Sequence, residues 1–416
     1  MVDSEVLMGQ LRLNNIRVLR DGEKGHENSV IINTCGFIND AKEESIETIL
    51  GFIEAKKRGE LKEVFVMGCL SERFKVPLKK EIPDVDEYFG VHDLEEVVKR
   101  MGAQYKKELI GERFLVTPPH YAYLKIAEGC DRKCSFCAIP GIRGAHISRT
   151  IEDIVSEAKR LAEQGVKELL LISQDLTYYG LDLYKKQMLP ELVMILSDLN
   201  LFKWIRLHYL FPTTFPDKLL EVIEYRDDVC DYIDIPLQHI SNRILKSMHR
   251  GVTKEGTFAL IEKFRQRLPD AAVRTAFIVG YPGETEEEFE ELKEFVREMK
   301  FDRVGVFTYS HEEDTAAFKH PDNIAEETKQ LRAAELMEIQ QEISLALNQK
   351  KIGKTIEILI DRKEGDYYVG RSQYDSPEVD NEILIKSTSR LKIGEFCKVK
   401  INEADAFDLF GNIQKL

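Results

Sequence analysis

Short apolar runs alternate with amphipathic stretches over the first 110 residues. The apolar runs are 28–35 and 61–70, and the amphipathic stretches are 41–59 and 94–102. Runs of Val and Ile are typical of parallel strands buried on both faces, whereas an apolar period near 3.6 is typical of helices. This rhythm predicts an α/β domain. Cys35 and Cys69 follow two successive strands, at the sheet edge where such domains bind ligands.

A second series of apolar runs begins after the proline-containing segment 116–120, which marks a domain boundary. The runs are 122–129, 168–175, 203–210, 231–238, 273–280 and 302–310, separated by helical stretches. Six β-α units in series predict a parallel sheet curled into an open, partial β/α barrel, with its chemistry at the carboxyl ends of the strands. Thr285 and Glu288 have the spacing of a helix capping box.

The pattern changes near the carboxyl terminus. A long charged helix is predicted over 325–351, and short alternating strands separated by Gly, Asp and Pro follow from Lys354. This pattern predicts a small antiparallel β-barrel of the OB-like kind. We therefore expect an α/β chain of three domains, with limits at 1–117, 118–350 and 351–416.

Charge and composition exclude several classes of protein. The net charge is 59 − 73 = −14 and 43% of the residues are hydrophobic, too many for a disordered chain. The terminal barrel, counted from Lys351, has 11 Lys and Arg against 12 Asp and Glu. Binding of nucleic acid by bulk charge is therefore not expected, because phosphate neutralisation requires concentrated cations. A basic protein partner suits the charge, and a merely soluble surface explains it equally well.

The seven cysteines are few for this length, and the amino terminus lacks the features of a signal peptide. No apolar run is long enough to span a membrane. We therefore expect a cytoplasmic protein with reduced thiols, in which clustered cysteines indicate metal binding more often than disulfides.

Three cysteines lie within eight residues directly after the first barrel strand: Cys130, Cys134 and Cys137. Three thiolates bind three irons of a 4Fe-4S cluster and leave the fourth iron open. A structural zinc site normally requires a fourth ligand at short spacing, for which His146 is the nearest candidate. The cluster is the preferred interpretation, and zinc or inert thiols are the alternative.

This cysteine motif, followed by a β/α barrel, resembles the radical S-adenosylmethionine superfamily. The resemblance implies that the open iron binds the methionine moiety of S-adenosylmethionine, which one electron then cleaves to a 5′-deoxyadenosyl radical. It also implies that Phe136 contacts the adenine edge, with a core aromatic as the alternative. Gly280 and Gly283 match the adenine-contacting strand.

The order of domains resembles that of the methylthiotransferases over nearly the whole chain. Residues 33–38 and 68–70 are similar to two cysteine motifs of that family, which implies that Cys35 and Cys69 bind an auxiliary 4Fe-4S cluster. The family's first cysteine motif ends in Val-Asp-Ser-Glu, which matches residues 2–5. The third cysteine is therefore expected before Met1, in a chain truncated at its start, and the auxiliary cluster is doubtful without it.

Two methylthiotransferase subfamilies differ in substrate. The segments 173–180, 234–241 and 309–312 resemble the subfamily that modifies a ribosomal protein rather than tRNA. The resemblance implies methylthiolation of the β-carbon of an aspartyl residue in small-subunit ribosomal protein twelve, two uses of S-adenosylmethionine and an electron donor protein. The alternatives are tRNA adenosine methylthiolation and a non-catalytic RNA-binding scaffold stabilised by zinc.

Several further side chains are candidates for the site. Gln238 and His239 follow the fourth barrel strand and are candidates for catalysis or structural hydrogen bonding. Glu312 is a third candidate for catalysis. It stands where the tRNA enzymes carry Arg, so it is interpreted as an anion that excludes phosphate, or as a plain solvated carboxylate. Arg143 and Arg149 flank the cysteine loop. We expect them either to bind the cofactor carboxylate or to pair with acidic side chains. The remaining thiols, Cys230 and Cys397, are expected to be packed or on the surface.

Overall fold

The structure, a computed structural model, describes residues 1–20, 23, 28–106, 112–387 and 389–414. The chain forms two compact units. The N-terminal unit comprises Met1–Val116, Glu128–Ile147 and Ser310–Phe318, and the barrel unit comprises Thr117–Ala127, Ser148–Tyr309 and Lys319–Leu416. The three domain limits proposed from the sequence remain a prediction.

In its described residues the N-terminal unit contains a parallel sheet in the order β1-β2-β3. Its elements are α1 (Val2–Leu13), β1 (Ser29–Thr34), α2 (Asn39–Lys57), β2 (Glu63–Gly68), α3 (Cys69–Glu81), β3 (Glu87–Tyr88), α4 (Leu94–Arg100) and α5 (Ile139–Arg143). The predicted β-α rhythm is confirmed for β1, α2, β2 and α4. The helices α1 and α3 were not predicted from the sequence.

Both faces of strand β2 are buried, which explains its continuous apolar sequence. Val64 and Val66 pack with α2 and α3 side chains such as Ile49 in one apolar cluster. Phe65 and Met67 point to the opposite face and pack with side chains of α1 and α4 in a second cluster. The sheet is therefore covered on both sides, and only its strand ends remain available for chemistry.

The barrel unit contains two parallel three-stranded sheets, β4-β7-β8 and β9-β10-β11. These strands are β4 (Tyr121–Lys125), β7 (Glu168–Ile172), β8 (Trp204–Leu207), β9 (Tyr232–Asp234), β10 (Ala272–Val279) and β11 (Arg303–Thr308). Two short strands, β5 (Ala127–Glu128) and β6 (Ile147–Ser148), stand at the ends of the cysteine loop. A parallel bridge joins Ile205 of β8 to Val229, three residues before β9 begins. The six predicted strands and their parallel direction are confirmed.

Helices separate these strands, and two of them lie between β9 and β10. They are α6 (Ile151–Glu163), α7 (Leu189–Asp198), α8 (Asp217–Tyr225), α9 (Asn242–Ser247), α10 (Lys254–Arg267), α11 (Glu286–Met299) and α12 (Glu326–Gln349), with short 3-10 turns at Leu176–Tyr178 and Ala317–Lys319. The predicted capping box of Thr285 and Glu288 is present at the start of α11. Within the described ranges, no helix has the length and apolar character needed to cross a membrane.

The carboxyl-terminal strands close into a barrel in the order β12-β13-β14-β16-β15. They are β12 (Thr355–Glu364), β13 (Tyr367–Arg371), β14 (Ile383–Lys386), β15 (Phe396–Ala404) and β16 (Leu409–Ile413). Four of the pairings are antiparallel, whereas β14 and β16 pair in parallel. The predicted small barrel is therefore confirmed, with one pairing that departs from the antiparallel pattern.

A buried ionic network connects this small barrel to the β/α strands within the barrel unit. Glu168 accepts hydrogen bonds from Arg206 Nε and Arg371 Nη2, each at 2.7 Å. Arg371 also binds Asp361, at 2.6 Å from Nε. Burial raises the pKa of Glu168, but the two guanidinium groups outweigh it and lower the pKa overall. The carboxylate is therefore charged, and the small barrel supplies part of its compensation.

Candidate functional site

The cysteine loop closes on itself by backbone contacts. Gly129 has φ +76°, and a Cβ there would clash with the carbonyl oxygen of Ala145. Cys130 N donates to Gly144 O at 3.1 Å. These contacts require glycine at the start of the loop and bring its two ends together.

The three thiols of the loop have different exposure. Cys130 is buried, whereas Cys134 and Cys137 are half-buried. Cys137 N donates to Cys134 O at 3.1 Å, and Ala317 N donates to Ser135 O at 2.7 Å, so the backbone between the thiols is fixed from both sides. This set of soft donors in one ordered loop fits a 4Fe-4S cluster.

A cubane cluster bound by three cysteines takes one thiolate on each of three irons, so its ligands do not converge on one point. In the part of the chain that the structure describes, no three His, Cys, Asp or Glu side chains converge as ligands of a single metal ion. His146, the candidate fourth ligand of a zinc site, is buried, and its backbone N–H donates to Asp131 Oδ1 at 3.0 Å.

Cys35 and Cys69 lie at neighbouring strand ends of the N-terminal unit. Thr34 and Gly68, the residues that precede them, are register partners in the β1–β2 pair. A Cβ at Gly36 would lie 2.5 Å from the Cα of Leu70, so the two chains touch directly after the strands. The sequence prediction that both thiols occupy the same edge of the sheet is therefore confirmed. Cys35 is exposed and Cys69 half-buried.

Arg143 connects the cysteine loop to Cys69 within the same unit. Its Nη2 donates to Cys69 Sγ at 3.6 Å, and its Nη1 lies 3.1 Å from Asp3 Oδ2 and 3.0 Å from Glu128 Oε1. Burial raises the pKa of the Cys69 thiol, and the positive charge of Arg143 opposes that effect. Of the two roles expected for Arg143, the structure shows the pairing with acids.

Glu312 is not a free anion. It accepts hydrogen bonds from Lys42 Nζ and Arg73 Nη1, each at 2.9 Å, and from Ser310 Oγ at 2.7 Å. Its side chain is only 2% exposed. Burial raises its pKa, but these three hydrogen bonds and the nearby cations lower the pKa overall. The interpretation of Glu312 as a solvated carboxylate is wrong, because two cations neutralise it in a buried pair. Its part in excluding a phosphate substrate stays a prediction.

Gln238 sits at a change of backbone direction in the barrel unit. It has φ +77°, which is uncommon for a residue other than glycine. Its N–H donates to Ala276 O at 2.8 Å, and its carbonyl accepts from Ile278 N at 2.8 Å. The residue therefore ties the end of the fourth barrel strand to β10, and its half-buried side chain adjoins that edge.

His239, the next residue, is fully buried. Its Nδ1 accepts a hydrogen bond from Ser241 N at 3.0 Å, and its Nε2 lies 3.6 Å from Glu284 Oε2. These contacts describe a packed side chain with a local hydrogen bond, which is the structural alternative expected from the sequence.

Gly280 and Gly283 follow β10 and have φ +73° and +79°. Gly280 N donates to Glu284 Oε2 at 2.9 Å, and a Cβ at Gly280 would clash with the side chain of Lys329. Glu284 is buried and binds Arg332 at 2.8 Å. Glu284 was missed by sequence reasoning, because its partner on α12 lies 48 positions away.

The remaining candidates are described by their burial and, for Arg149, by one ion pair. Phe136 is half-buried in the N-terminal unit. Arg149 pairs with Glu157 at 2.7 Å. Cys230 is buried and burial raises its pKa to about 12, whereas Cys397 is half-buried with its pKa raised by burial to about 11. Both thiols are packed, as expected.

Comparison with known proteins identifies the family. Residues 124–296 match the Radical SAM superfamily, 352–413 the TRAM domain and 1–90 the family described as UPF0004. The proteins called ribosomal protein uS12 methylthiotransferase RimO in Christiangramia forsetii and Cytophaga hutchinsonii are 58% and 52% identical to this chain. The matches cover 98% and 100% of this chain, and 90% and 95% of those relatives.

A solved structure shares the fold. The radical S-adenosylmethionine methyltransferase TsrM of Kitasatospora setae, with tryptophan substrate and a S-adenosylmethionine analogue bound, is 14% identical with a TM-score of 0.54. The match covers 74% of this chain and 70% of that chain. Because its sequence identity is low, this structural match shows the fold alone. The identity and coverage of the curated relatives establish the family. The chain belongs to the RimO family of radical S-adenosylmethionine methylthiotransferases.

Proposed function

We propose that this chain methylthiolates the β-carbon of an aspartyl residue in ribosomal protein uS12. The name shared by relatives that are 52–58% identical supports this substrate. The structural observation that carries the proposal is the contact between Arg143 and Cys69, because it joins the two cysteine regions within one compact unit. An enzyme that transfers sulfur by radical chemistry needs both regions close together.

Cys130, Cys134 and Cys137 would bind a 4Fe-4S cluster, and Cys35 and Cys69 would contribute two ligands to an auxiliary cluster. When bound, these clusters and S-adenosylmethionine supply the one-electron cleavage that abstracts hydrogen and the site that carries sulfur. The chain's own contribution is geometric. The closed loop from Gly129 to Ala145 fixes three thiols, and the paired ends of β1 and β2 fix the other two.

The proposed reaction replaces the Cβ–H bond of the aspartyl residue by a Cβ–S bond. The hydrogen atom would leave with the 5′-deoxyadenosyl group of one S-adenosylmethionine, and this cleavage would need one electron from a reduced donor protein through the cluster held by Cys130, Cys134 and Cys137. The sulfur would enter at the sulfide level from a separate sulfur donor and would take its methyl group from a second S-adenosylmethionine. Formation of the Cβ–S bond then releases one electron, which the cluster held at Cys35 and Cys69 would accept. No side-chain base near neutral pH readily deprotonates this carbon, so the radical route is required.

Gly280 and Gly283 of the barrel unit would bind the adenosyl part of the cofactor, as the family resemblance implies. Phe136 of the N-terminal unit keeps the role that the same resemblance implies, contact with an adenine edge. Both glycines have a left-handed backbone directly after the end of β10. Glu284 keeps this turn in place through Gly280 N, so it acts as a positioning residue. We place the activity in the cytoplasm, where ribosomes assemble.

To test this substrate, the anaerobically reconstituted chain is incubated with uS12 and tRNA together, with methyl-labelled S-adenosylmethionine and a strong reductant, and label is measured in each. We expect label in uS12 and none in tRNA. The variant with Cys130, Cys134 and Cys137 replaced by Ala is the control for background methylation. Label in tRNA alone would contradict the proposed substrate.

The auxiliary site has a separate test. Cys69→Ser should lower the iron content of the reconstituted chain. Cys397→Ser is the matched control, because Cys397 is also a half-buried thiol with a raised pKa. Equal iron in the two variants would remove Cys69 from the proposed ligands.

A further inference from the structure

The strand β8 ends in a run of inward-facing polar side chains. Arg206 binds Glu168 of β7, and His208 Nδ1 lies 3.2 Å from Asp234 Oδ2 at the end of β9. His208 Nε2 lies 3.1 Å from the hydroxyl of Ser376 in the loop after β13. These side chains share one face of the barrel sheet, which we call the inner face. Alternation along a strand predicts that the next residue, Tyr209, points outward.

The backbone of Tyr209 does not follow this alternation. Its φ is +60°, a strained value for a bulky aromatic residue. The conformation is fixed from two sides, since Tyr209 N donates to Asp234 Oδ2 at 3.0 Å and its carbonyl accepts from Leu176 N at 3.1 Å. The chain therefore stores strain at one position at the carboxyl end of β8.

The strain does not serve packing. The side chain of Tyr209 is 48% exposed, whereas His208 and Asp234 beside it are buried. Its ring lies 5.8 Å from the ring of His208. Partial burial of the phenol raises its pKa, Asp234 raises it further and Arg274 opposes this, so the hydroxyl stays a protonated donor near inner-face charges.

The position of Tyr209 favours a protein substrate over the cofactor. The adenosyl group is proposed at the end of β10, and β9 lies between β8 and β10. Chemistry in β/α barrels takes place at the carboxyl ends of the strands. A half-exposed phenol at that edge offers a flat apolar ring and one hydrogen-bond donor, which together suit a peptide segment with a carboxylate.

We propose that Tyr209 is a substrate-binding residue whose hydroxyl donates a hydrogen bond to the aspartyl segment of uS12 while its ring packs against that segment. This inference rests on the proposed function. The strained backbone holds Tyr209 at the carboxyl end of β8 with its side chain partly exposed. A glycine at this position should therefore keep or raise the melting temperature while it weakens the binding of uS12.

The test compares Tyr209→Gly, Tyr209→Phe and Lys300→Gly in the reconstituted full chain. Lys300 has φ +49° at the exposed end of α11, just before β11, so its replacement by Gly relieves similar strain away from the carboxyl end of β8. Both glycine variants should melt at or above the parent temperature. Of the two glycine variants, only Tyr209→Gly should bind purified uS12 at least tenfold more weakly than the parent and have a higher KM for uS12. The affinity of Tyr209→Phe for uS12 should lie between those of the parent and Tyr209→Gly.

The outcomes separate this inference from the proposed function. If the parent binds uS12 and Tyr209→Gly binds it equally well, the role of Tyr209 is overturned and the proposed function stands. If the parent neither binds nor modifies uS12, the proposed function fails and the assigned ligand of Tyr209 fails with it. A tenfold or greater loss of affinity in a folded Tyr209→Gly variant supports the inference.

Discussion

The guanidinium of Arg143 donates to the sulfur of Cys69 at 3.6 Å. Arg143 ends the helix α5 that follows the three-cysteine motif, and Cys69 begins the helix α3 that follows a strand of the N-terminal sheet. The same guanidinium pairs with Asp3 and Glu128. One side chain thus connects two cysteine regions that are 74 positions apart in sequence.

Replacement of Arg143 by Met should destabilise the N-terminal unit. The change leaves two half-buried carboxylates without their cation, and hydrogen bonds to charged groups contribute about 1.5–3 kcal/mol each. We expect a loss of roughly 2 kcal/mol, measured by calorimetry on the cluster-free chain. Arg143→Lys, which keeps the charge, should lose less. Identical melting of Arg143→Met and the parent would show that these contacts contribute nothing.

Gly129→Ala should prevent the cysteine loop from closing. The added Cβ meets the backbone of Ala145 at a position with φ +76°, and backbone cannot move aside as a flexible side chain can. Iron bound after reconstitution should fall by more than half. Gly141→Ala is the control in the same loop, since a Cβ there has no atom within 4 Å. A normal iron content in Gly129→Ala would contradict the geometry of the loop.

Local patterns in the sequence were sufficient for the strands and for the places of Cys35 and Cys69, because apolar runs bounded by turns determine where parallel strands end. Local patterns did not predict the buried ion pairs of Glu312, because its partners Lys42 and Arg73 lie 270 and 239 positions away. The strained backbone of Tyr209 is likewise set by Asp234 from another strand. Contacts of this kind depend on tertiary packing, which single-sequence periodicity does not encode.

Glu312→Gln should weaken the N-terminal unit in a pH-dependent manner. The folded pKa of Glu312 lies below its ordinary value of 4.5, so its ionisation stabilises the fold above that pH. This contribution is lost as the pH falls from 4.5 through the folded pKa. At pH 7 we expect Glu312→Gln to cost roughly 2 kcal/mol. Thermal melts of both proteins from pH 7 to pH 3 should converge at the acid end, and a constant difference would contradict this.

Arg371→Met should destabilise the barrel unit strongly. Arg371 is buried and binds both Glu168 and Asp361, and removal of one partner from a buried ion pair costs about 3–5 kcal/mol. Arg362→Met is the control in the same small barrel. Its pairs with Glu364 and Glu382 are exposed and contribute about 0–1 kcal/mol. Comparable melting temperatures for the two variants would show that the buried network is not stabilising.

The most direct test of the account is intact-protein and peptide mass spectrometry of uS12 after incubation with the reconstituted chain, S-adenosylmethionine and reductant. We expect uS12 to gain the mass of one SCH2 group on a single aspartyl residue, and to gain none with the variant that lacks Cys130, Cys134 and Cys137. Unmodified uS12 accompanied by methylthiolated tRNA in the same mixture would contradict it.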